Sequence, residues 1–436
     1  MNTMNSNTKE SNVQTKAAHL CATTVVLTAL WALAPRAMAG EAPLQIFDGV
    51  KYQGTSSALE THTVYSGAAI PTGLNKKISS LILKKGYQVC IATKEKGQGL
   101  SKMLIAVNRD IRIPKLSPQF NDTIAFLRVT PVRNVGKRGH CGFPDRRFNA
   151  AWFYSWGGTH KSTESTLWSP MIAYRKRAGE WTSSLVNIKG IQEVIAFNEP
   201  DHPADAKQKK WKRVTPENAV ELLQNALSAG LRMGSPSCRE AGALKGRWLS
   251  EFMKLGKEKN LRIDFICVHW YDWKGIRKKA NRDDTGKQVF ERFKAYMTAV
   301  HEEHGLPIWV TEWNANPGRK TPVQRAFVQA ALTWMDKTPW MERYSYFQPR
   351  ALGSGKQANA IKSDTKTKAH AKALEESKTE AGYGSFTVVK HDRSSPLTEL
   401  GTYWSKFRSA PYLAKDVYLG KNNLCEDEVE DDRPRD

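Results

Sequence analysis

The chain has 436 residues, an ordinary hydrophobic content of 40% and a formal net charge of +23. This length leaves room for two or three domains, including a barrel of about 200–250 residues. The basic residues are spread along the chain and form no nucleic-acid-binding motif. The composition therefore favours a solvated basic surface and argues against a nucleic-acid partner.

The N-terminal segment has the three parts of a secretory signal. A basic, polar stretch ends near Lys16, an apolar run follows from Leu20 to Leu33, and Ala37-Met38-Ala39 is a small-x-small cleavage site. We predict a signal peptide over 1–39, a secreted or periplasmic protein, and no membrane contact after cleavage. The long polar leader keeps an uncleaved anchor as an alternative, although the apolar run is short for a membrane span.

Five cysteines remain once Cys21 is lost with the signal, so at least one thiol is free or pairs between chains. Cys267 lies in an apolar run and is predicted to be a buried free thiol. Export would permit a disulfide, for which Cys90 and Cys141 are the candidates. The chain has no CxxC motif and no His/Cys cluster, so we expect neither a metal nor another cofactor.

Residues 41–131 are predicted to form an all-β domain, because short strand-like runs alternate with Gly, Pro and Asn turns. The run Leu74–Leu81 is echoed by Phe120–Leu127, and each follows a proline-containing turn. An internal repeat of this kind indicates two similar units that share one core.

Two motifs of this domain, Phe47-x-x-x-x-Tyr52-x-Gly54 and Asn75-x-x-Ile78-Ser79-Ser80, resemble those of the βγ-crystallin family. The resemblance implies a pair of Greek-key units. In the second unit Ala125-Phe126 stand where the family has hydroxyl residues. We expect a domain that folds alone, either as a small accessory module or as one that docks the protein on a polymer.

Residues 132–147 are rich in glycine and basic side chains and are predicted to be a linker. From residue 148 strand-like runs alternate with helices, which predicts a (β/α)8 barrel over 148–413. A doubly wound open sheet is the alternative, disfavoured because no glycine-rich phosphate loop follows the first strand. We expect an exposed insertion at 356–384 and a disordered acidic tail at 414–436.

Two glutamates follow apolar, strand-like runs in the second domain: Glu199 in Phe197-Asn198-Glu199-Pro200 and Glu312 in Trp309-Val310-Thr311-Glu312-Trp313. In a barrel, the C-terminal ends of the strands carry the chemistry. A single glutamate there is more often a loop residue or a helix N-terminal charge. Two carboxylates flanked by Asn and Trp are the minimal equipment for cutting a glycosidic bond.

Taken in order, the strand ends resemble glycoside hydrolase family 128, of the clan A glycosyl hydrolase catalytic core. The resemblance implies a (β/α)8 barrel that cleaves β-1,3-glucan internally and retains the anomeric configuration. The matching motifs are Trp152-Phe153-Tyr154-Ser155-Trp156-Gly157, Ser169-Pro170-Met171, Phe197-Asn198-Glu199-Pro200-Asp201, Gly234-Ser235-Pro236, His269-Trp270-Tyr271, Trp309-Val310-Thr311-Glu312-Trp313, Glu342-Arg343-Tyr344 and Leu397-Thr398-Glu399-Leu400-Gly401.

The resemblance also implies residue roles. Glu199 is the expected general acid and base, with a pKa raised toward neutrality, and Glu312 the expected nucleophile. Asn198 would bind the sugar 2-hydroxyl, and Tyr271 would hydrogen-bond the nucleophile. His269 would contact substrate or serve the structure alone. Candidates for sugar stacking, with core packing as the alternative for each, are Tyr154, Trp156, Trp270 and Trp313.

The sequence therefore predicts a monomeric endo-β-1,3-glucanase whose partner is a β-glucan polysaccharide. One alternative is another clan A β-glycanase, namely a mannanase, a xylanase or a β-1,4-glucanase. The other is a carbohydrate- or cell-wall-binding protein without activity, which the presence of both glutamates disfavours.

Overall fold

The computed structural model of the protein describes residues 42–133, 136–142, 145–157, 159–173, 184–202, 214–273, 275, 284–316, 319–348, 384–387, 394–412 and 417–419. The predicted signal peptide, residues 356–383 of the predicted insertion and the acidic stretch 420–436 lie outside the described residues. None of the helices in the described part of the chain has the length and apolar character needed to cross a membrane.

The N-terminal part consists of two antiparallel sheets. The four-stranded sheet has the order β2-β1-β4-β7 and the five-stranded sheet the order β17-β6-β5-β8-β3. Their facing sides share one apolar core, to which Leu81 and Val89 belong. The strands are β1 Leu44–Phe47, β2 Ser56–Leu59, β3 Val64–Ser66, β4 Ser80–Leu83, β5 Tyr87–Ala92, β6 Ser101–Ala106, β7 Ile111–Ile113, β8 Phe126–Pro131 and β17 Val417–Leu419.

The central strands β5, β6 and β8 of the five-stranded sheet are buried on both faces, since consecutive residues along them are buried and successive side chains of a strand point to opposite faces. Val89 and Ile91 of β5 face the core between the sheets, whereas Cys90 belongs to a second apolar cluster that includes Tyr412. Arg262 donates from Nη1 to the Sγ of Cys90 at 2.7 Å. The second face of the sheet is therefore an interface with the remainder of the chain.

The remainder of the chain is a mixed α/β structure with parallel strands. Six strands form one sheet in the order β11-β10-β9-β16-β15-β14, and β12 and β13 form a parallel pair. Isolated parallel bridges join Met171 to Ile195 and Gly234 to Phe265. The strands are β9 Arg138–Cys141, β10 Trp152–Tyr154, β11 Leu167–Trp168, β12 Glu193–Val194, β13 Arg232–Met233, β14 Ile266–Trp270, β15 Ile308–Trp313 and β16 Met341–Tyr346.

Five α-helices have both ends within the described residues, and three of them begin after a threonine whose side chain accepts a hydrogen bond from a backbone N–H. Thr215 accepts from the backbone N–H of Asn218 at 3.3 Å at the start of the first helix. Thr285 and Gln288 form a capping box at the start of the third, and Gly305 ends it at φ 64. The helices are α1 Pro216–Ala226, α2 Trp248–Glu258, α3 Gly286–His304, α4 Thr321–Lys337 and α5 Glu399–Lys406.

The linker predicted over 132–147 is wrong, because β9 lies within it and pairs with both β10 and β16. Its polar side chains are buried and use partners far along the chain. Arg138 donates to the carbonyl oxygens of Phe407 at 2.6 Å and Asn149 at 3.1 Å. A composition of glycine and basic residues therefore conceals a central strand.

The predicted Cys90–Cys141 disulfide is also wrong. Neither residue forms a disulfide and both are buried, and Cys141 belongs to β9, where its Sγ lies 3.4 Å from the carbonyl oxygen of Tyr346. The prediction for Cys267 is confirmed, since it is a buried free thiol. Part of the predicted tail is ordered too, because β17 pairs with β6.

Candidate active site

Glu199 lies beyond the end of β12, where the chain still pairs with the segment after β13. Asn198 forms a parallel bridge to Ser237, and the backbone N–H of Glu199 donates to the carbonyl oxygen of Ser237 at 2.9 Å. Glu199 has a φ of 40, a left-handed conformation that is rare for a residue with a side chain. The surrounding hydrogen bonds hold this conformation, and such backbone strain is concentrated at functional sites.

Glu312 reaches the same place through an irregularity in β15. Val268 of β14 pairs with Val310, but His269 pairs with Glu312, so Thr311 is one extra residue on β15. A bulge of this kind changes the face to which the following side chains point. It places the Glu312 carboxylate on the same face as the His269 imidazole.

His269 lies between the two carboxylates. Its Nδ1 is 3.0 Å from Oε1 of Glu199, and its Nε2 is 3.6 Å from Oε1 of Glu312. One ring nitrogen of His269 and one carboxylate oxygen from each of Glu199 and Glu312 all lie within 4.8 Å of one another. Such a cluster has the composition of a cation site, but both ring nitrogens already face carboxylates. The arrangement suits the sharing of a proton.

Charge coupling among these three groups sets their pKa values. Burial alone would raise the pKa of Glu199, but its hydrogen bond to His269 and the charge of that imidazole lower it. Burial would lower the pKa of His269, yet the charge of Glu312 and then the hydrogen bond to Glu199 raise it. The expectation of a raised Glu199 pKa is therefore wrong for the free protein, in which the pKa of Glu199 is lowered and that of His269 is raised.

Three donors converge on the Glu312 carboxylate. The hydroxyl of Tyr271 donates to Oε2, while the hydroxyl of Tyr154 and the indole Nε1 of Trp156 donate to Oε1 at 3.2 and 3.0 Å. The Trp156 indole also contacts Oδ1 of Asn198 at 3.1 Å. These contacts fix the orientation of the carboxylate and bring Asn198 to its side.

Three residues expected to stack on sugar do not expose their rings. Trp270 and Trp313 are only 1% and 0% exposed and lie against Phe293, with ring centroids 5.2 and 5.6 Å from it. They are register partners on neighbouring strands, and alternation turns both away from the face of His269 and Glu312. Tyr154 is fully buried and reaches the site through its hydroxyl alone.

Phe347 is a site residue that the sequence did not assign. It follows β16, is partly exposed, and its ring centroid lies 5.8 Å from that of Tyr271 and 6.1 Å from that of Trp156. These three partly exposed aromatic rings surround the Glu312 side of the site. The strand-end position of Phe347 was the available signal.

Comparison with known families identifies the class of protein. Residues 136–371 match the family described as the glycosyl hydrolase catalytic core. Because this match spans more than half of the 436 residues, the chain belongs to that family and is a glycoside hydrolase. No curated protein matches the chain.

Several solved structures are similar to part of the chain. A family 128 subgroup I endo-β-1,3-glucanase from Amycolatopsis mediterranei, in complex with laminarihexaose, is 25% identical over 49% of this chain and 88% of its own, with a TM-score of 0.40. A subgroup II endo-β-1,3-glucanase from Sorangium cellulosum is 19% identical over 63% and 99%, with a TM-score of 0.41. A curdlan-specific exo-β-1,3-glucanase from Blastomyces gilchristii is 25% identical over 50% and 91%, with a TM-score of 0.37.

Proposed function

We propose that the protein is a secreted, monomeric endo-β-1,3-glucanase that retains the anomeric configuration. The observation that carries the proposal is the pair of carboxylates at the strand ends, with an oxygen of each within the 4.8 Å cluster around His269. Retaining glycosidases hold their carboxyl groups about 5–5.5 Å apart, whereas inverting enzymes leave about 6.5–9.5 Å for a water molecule. The short separation favours retention.

In the proposed reaction Glu312 attacks the anomeric carbon of the sugar held beside Asn198 and Trp156. The glycosidic C–O bond breaks as Glu199 gives its proton to the leaving oxygen, which leaves a covalent glycosyl-enzyme. Glu199, now ionised, takes a proton from water, and the resulting oxygen attacks the same carbon and displaces Glu312. One water is consumed, and both carboxylates return to their starting states.

The low pKa of Glu199 in the free protein requires a source for its proton. Nδ1 of His269 lies 3.0 Å from Oε1 of Glu199 and is placed to supply it. A bound sugar expels water and makes the ion pair less favourable relative to two neutral groups. We infer that substrate binding moves this proton from Nδ1 of His269 to Oε1 of Glu199, so that the acid is loaded only in the complex.

The β-1,3 linkage and internal cleavage are inferred from the ordered motifs that resemble family 128. A closed barrel of eight strands is part of the same proposal. It is supported by the bridges Met171–Ile195 and Gly234–Phe265, which lie between the β12-β13 pair and the two outer strands of the six-stranded sheet. Export through the signal over 1–39 and a crystallin-like relationship of the β domain also belong to the proposal.

The experiment is product analysis with purified protein on linear β-1,3-glucan, β-1,4-glucan, mannan and xylan. We expect oligosaccharides of several lengths to appear early from β-1,3-glucan alone, with the β-anomer formed first by NMR. Release of glucose only would mean an exo-acting enzyme. Early α-anomer would overturn the two-step mechanism, and preference for another polymer would overturn the substrate.

A further inference from the structure

Trp273 is an exposed aromatic side chain next to the candidate active site. In the described residues three large apolar side chains are strongly exposed, and Trp273, at 45%, is the one that follows a strand of the parallel sheet. The other two, Val50 and Leu100, belong to the β domain. Trp273 comes two residues after Tyr271, whose hydroxyl donates to Glu312.

The backbone at Trp273 is held by polar contacts although its ring is exposed. Its N–H donates to Oε2 of Glu240 at 3.1 Å. The preceding residue, Asp272, is buried at φ 52 and pairs with Arg292 at 2.6 Å and Arg319 at 2.9 Å. The position of Trp273 is therefore held by its own backbone hydrogen bond and by the buried carboxylate of the residue before it.

Glu240 is in turn connected to the loop of Glu199. The backbone N–H of Arg239 donates to Oδ1 of Asp201 at 3.0 Å, and its Nη2 donates to the Asp201 carbonyl oxygen at 3.0 Å. Asp201 follows Glu199 by two residues. The loops after β12, β13 and β14 are thus held together, and Trp273 belongs to the same edge of the site as the expected proton donor.

We propose that the Trp273 indole is the platform for a sugar ring on the leaving-group side of the cleaved bond. This assignment rests on the proposed function. Asn198 and Trp156 hold the sugar that becomes bound to Glu312. The leaving sugar must then lie beyond Glu199, toward the loops after β13 and β14. An aromatic face in that position packs against the apolar C–H face of a glucose ring.

The test compares two substrates whose leaving groups differ. Laminarihexaose places glucose units on the leaving-group side, whereas β-laminaribiosyl fluoride places a single fluoride. We expect Trp273→Ala to lower the ratio of kcat/KM for the hexaose to that for the fluoride by about tenfold. Trp273→Phe should restore most of the ratio, because a flat ring remains. Leu100→Ala, an equally exposed residue of the β domain, is the matched control.

The outcomes separate this assignment from the proposed function. If wild-type protein hydrolyses both substrates but Trp273→Ala leaves the ratio unchanged, or lowers both values equally, the assignment is wrong and the function stands. If wild-type protein hydrolyses neither substrate, the function fails and the assignment fails with it. Thermal unfolding of each variant shows whether an equal loss on both substrates is a loss of folded protein.

Discussion

The two ends of the parallel strands both carry buried ion pairs, but the pairs differ in balance. At the N-terminal ends Arg232 lies 2.7 Å from Glu342 and Arg343 lies 3.1 Å from Glu193, so charges match one to one. At the C-terminal ends one histidine serves Glu199 and Glu312. Balanced pairs hold a structure together, whereas the unbalanced group is the one for which we propose a proton transfer.

The two ends of the parallel strands also differ in how far other side chains cover their charged groups. Aromatic rings enclose the N-terminal pairs, with the Arg343 guanidinium 4.3 Å from the Tyr412 ring centroid and 4.6 Å from that of Trp309. The Tyr412 hydroxyl also donates to Glu193 at 3.2 Å. The Glu199 side chain, in contrast, is 23% exposed. Charges at the covered end cannot reach a substrate, while those at the open end can.

Replacement of the proposed nucleophile should have the largest effect. Glu312→Gln prevents the covalent intermediate, and we expect turnover on β-1,3-glucan to fall by about 10⁴-fold or more. Unfolding in urea should change little, since the amide keeps the shape of the side chain. Restoration of turnover by azide with formation of the β-azide would mean that the roles of the two glutamates are exchanged.

Replacement of the proposed acid should depend on the leaving group. Glu199→Gln should lose about 10²–10⁴-fold on β-1,3-glucan, yet β-laminaribiosyl fluoride needs little protonation and should still react once. The covalent intermediate then accumulates, because no base activates water. Added azide needs no base and should release the β-azide. Unchanged turnover of glucan by this variant would show that another residue supplies the proton.

A substitution in the ion pairs at the covered, N-terminal ends of the strands should change the stability of the protein. Glu342→Gln leaves the buried Arg232 without its counter-charge, and we expect a loss of about 3–5 kcal/mol in the free energy of unfolding. Activity per folded molecule should stay constant. The double variant Arg232→Met with Glu342→Met should recover most of the loss. A single variant as stable as the wild type would mean that this pair does not support the fold.

Substitution of Gly97 tests the interface between the β domain and the catalytic part. A Cβ on Gly97 would lie 2.3 Å from the carbonyl oxygen of Leu227, and its φ is 70. Gly97→Ala should cost about 1–3 kcal/mol in unfolding free energy. Gly73→Ala is the control, because Gly73 has a φ of 85 and the described residues place no atom within 4 Å of such a Cβ. Equal losses in the two variants would mean that the cost comes from backbone strain alone and not from contact with Leu227.

We expect the smallest effect to be a pH dependence of the free energy of unfolding that comes from Glu199 and His269. The pKa of Glu199 is lowered from 4.5, so its contribution is present above that value and is lost as pH falls through the folded pKa. The pKa of His269 is raised from 6.5, so its contribution is full below 6.5 and is lost as pH rises through the folded pKa. His269→Gln should remove the alkaline loss in urea unfolding. Persistence of that loss would assign it to another group.

The β domain shows which part of its packing the sequence did not predict. The internal repeat and the turn residues predicted two packed units, and residues 42–133 do form two sheets. However, the last strand of one sheet comes from Val417–Leu419, and Arg262 of the catalytic part hydrogen-bonds Cys90. Alternation predicts that a strand has two faces, but it does not say what covers the second face.

The sequence by itself determined the alternation of strands and helices, the mixed α/β class and the positions of Glu199, His269, Tyr271 and Glu312 at strand ends. Capping residues act over three or four positions, and parallel strands bring their C-terminal ends to one edge, so these features need only local signals. The tertiary structure alone decided which side chains face the site. The extra residue Thr311 turns Glu312 toward His269 and turns Trp313, the register partner of Trp270, into the core.

The tertiary structure also decided that a glycine-rich, basic segment is a central strand. Arg138 can be buried in β9 because Phe407 and Asn149 supply carbonyl oxygens, and Gly139 is required because a Cβ would lie 2.2 Å from the Trp152 ring. Buried polar groups need partners, and here one partner is more than 250 residues away. Local sequence shows the need for such a partner but does not identify it.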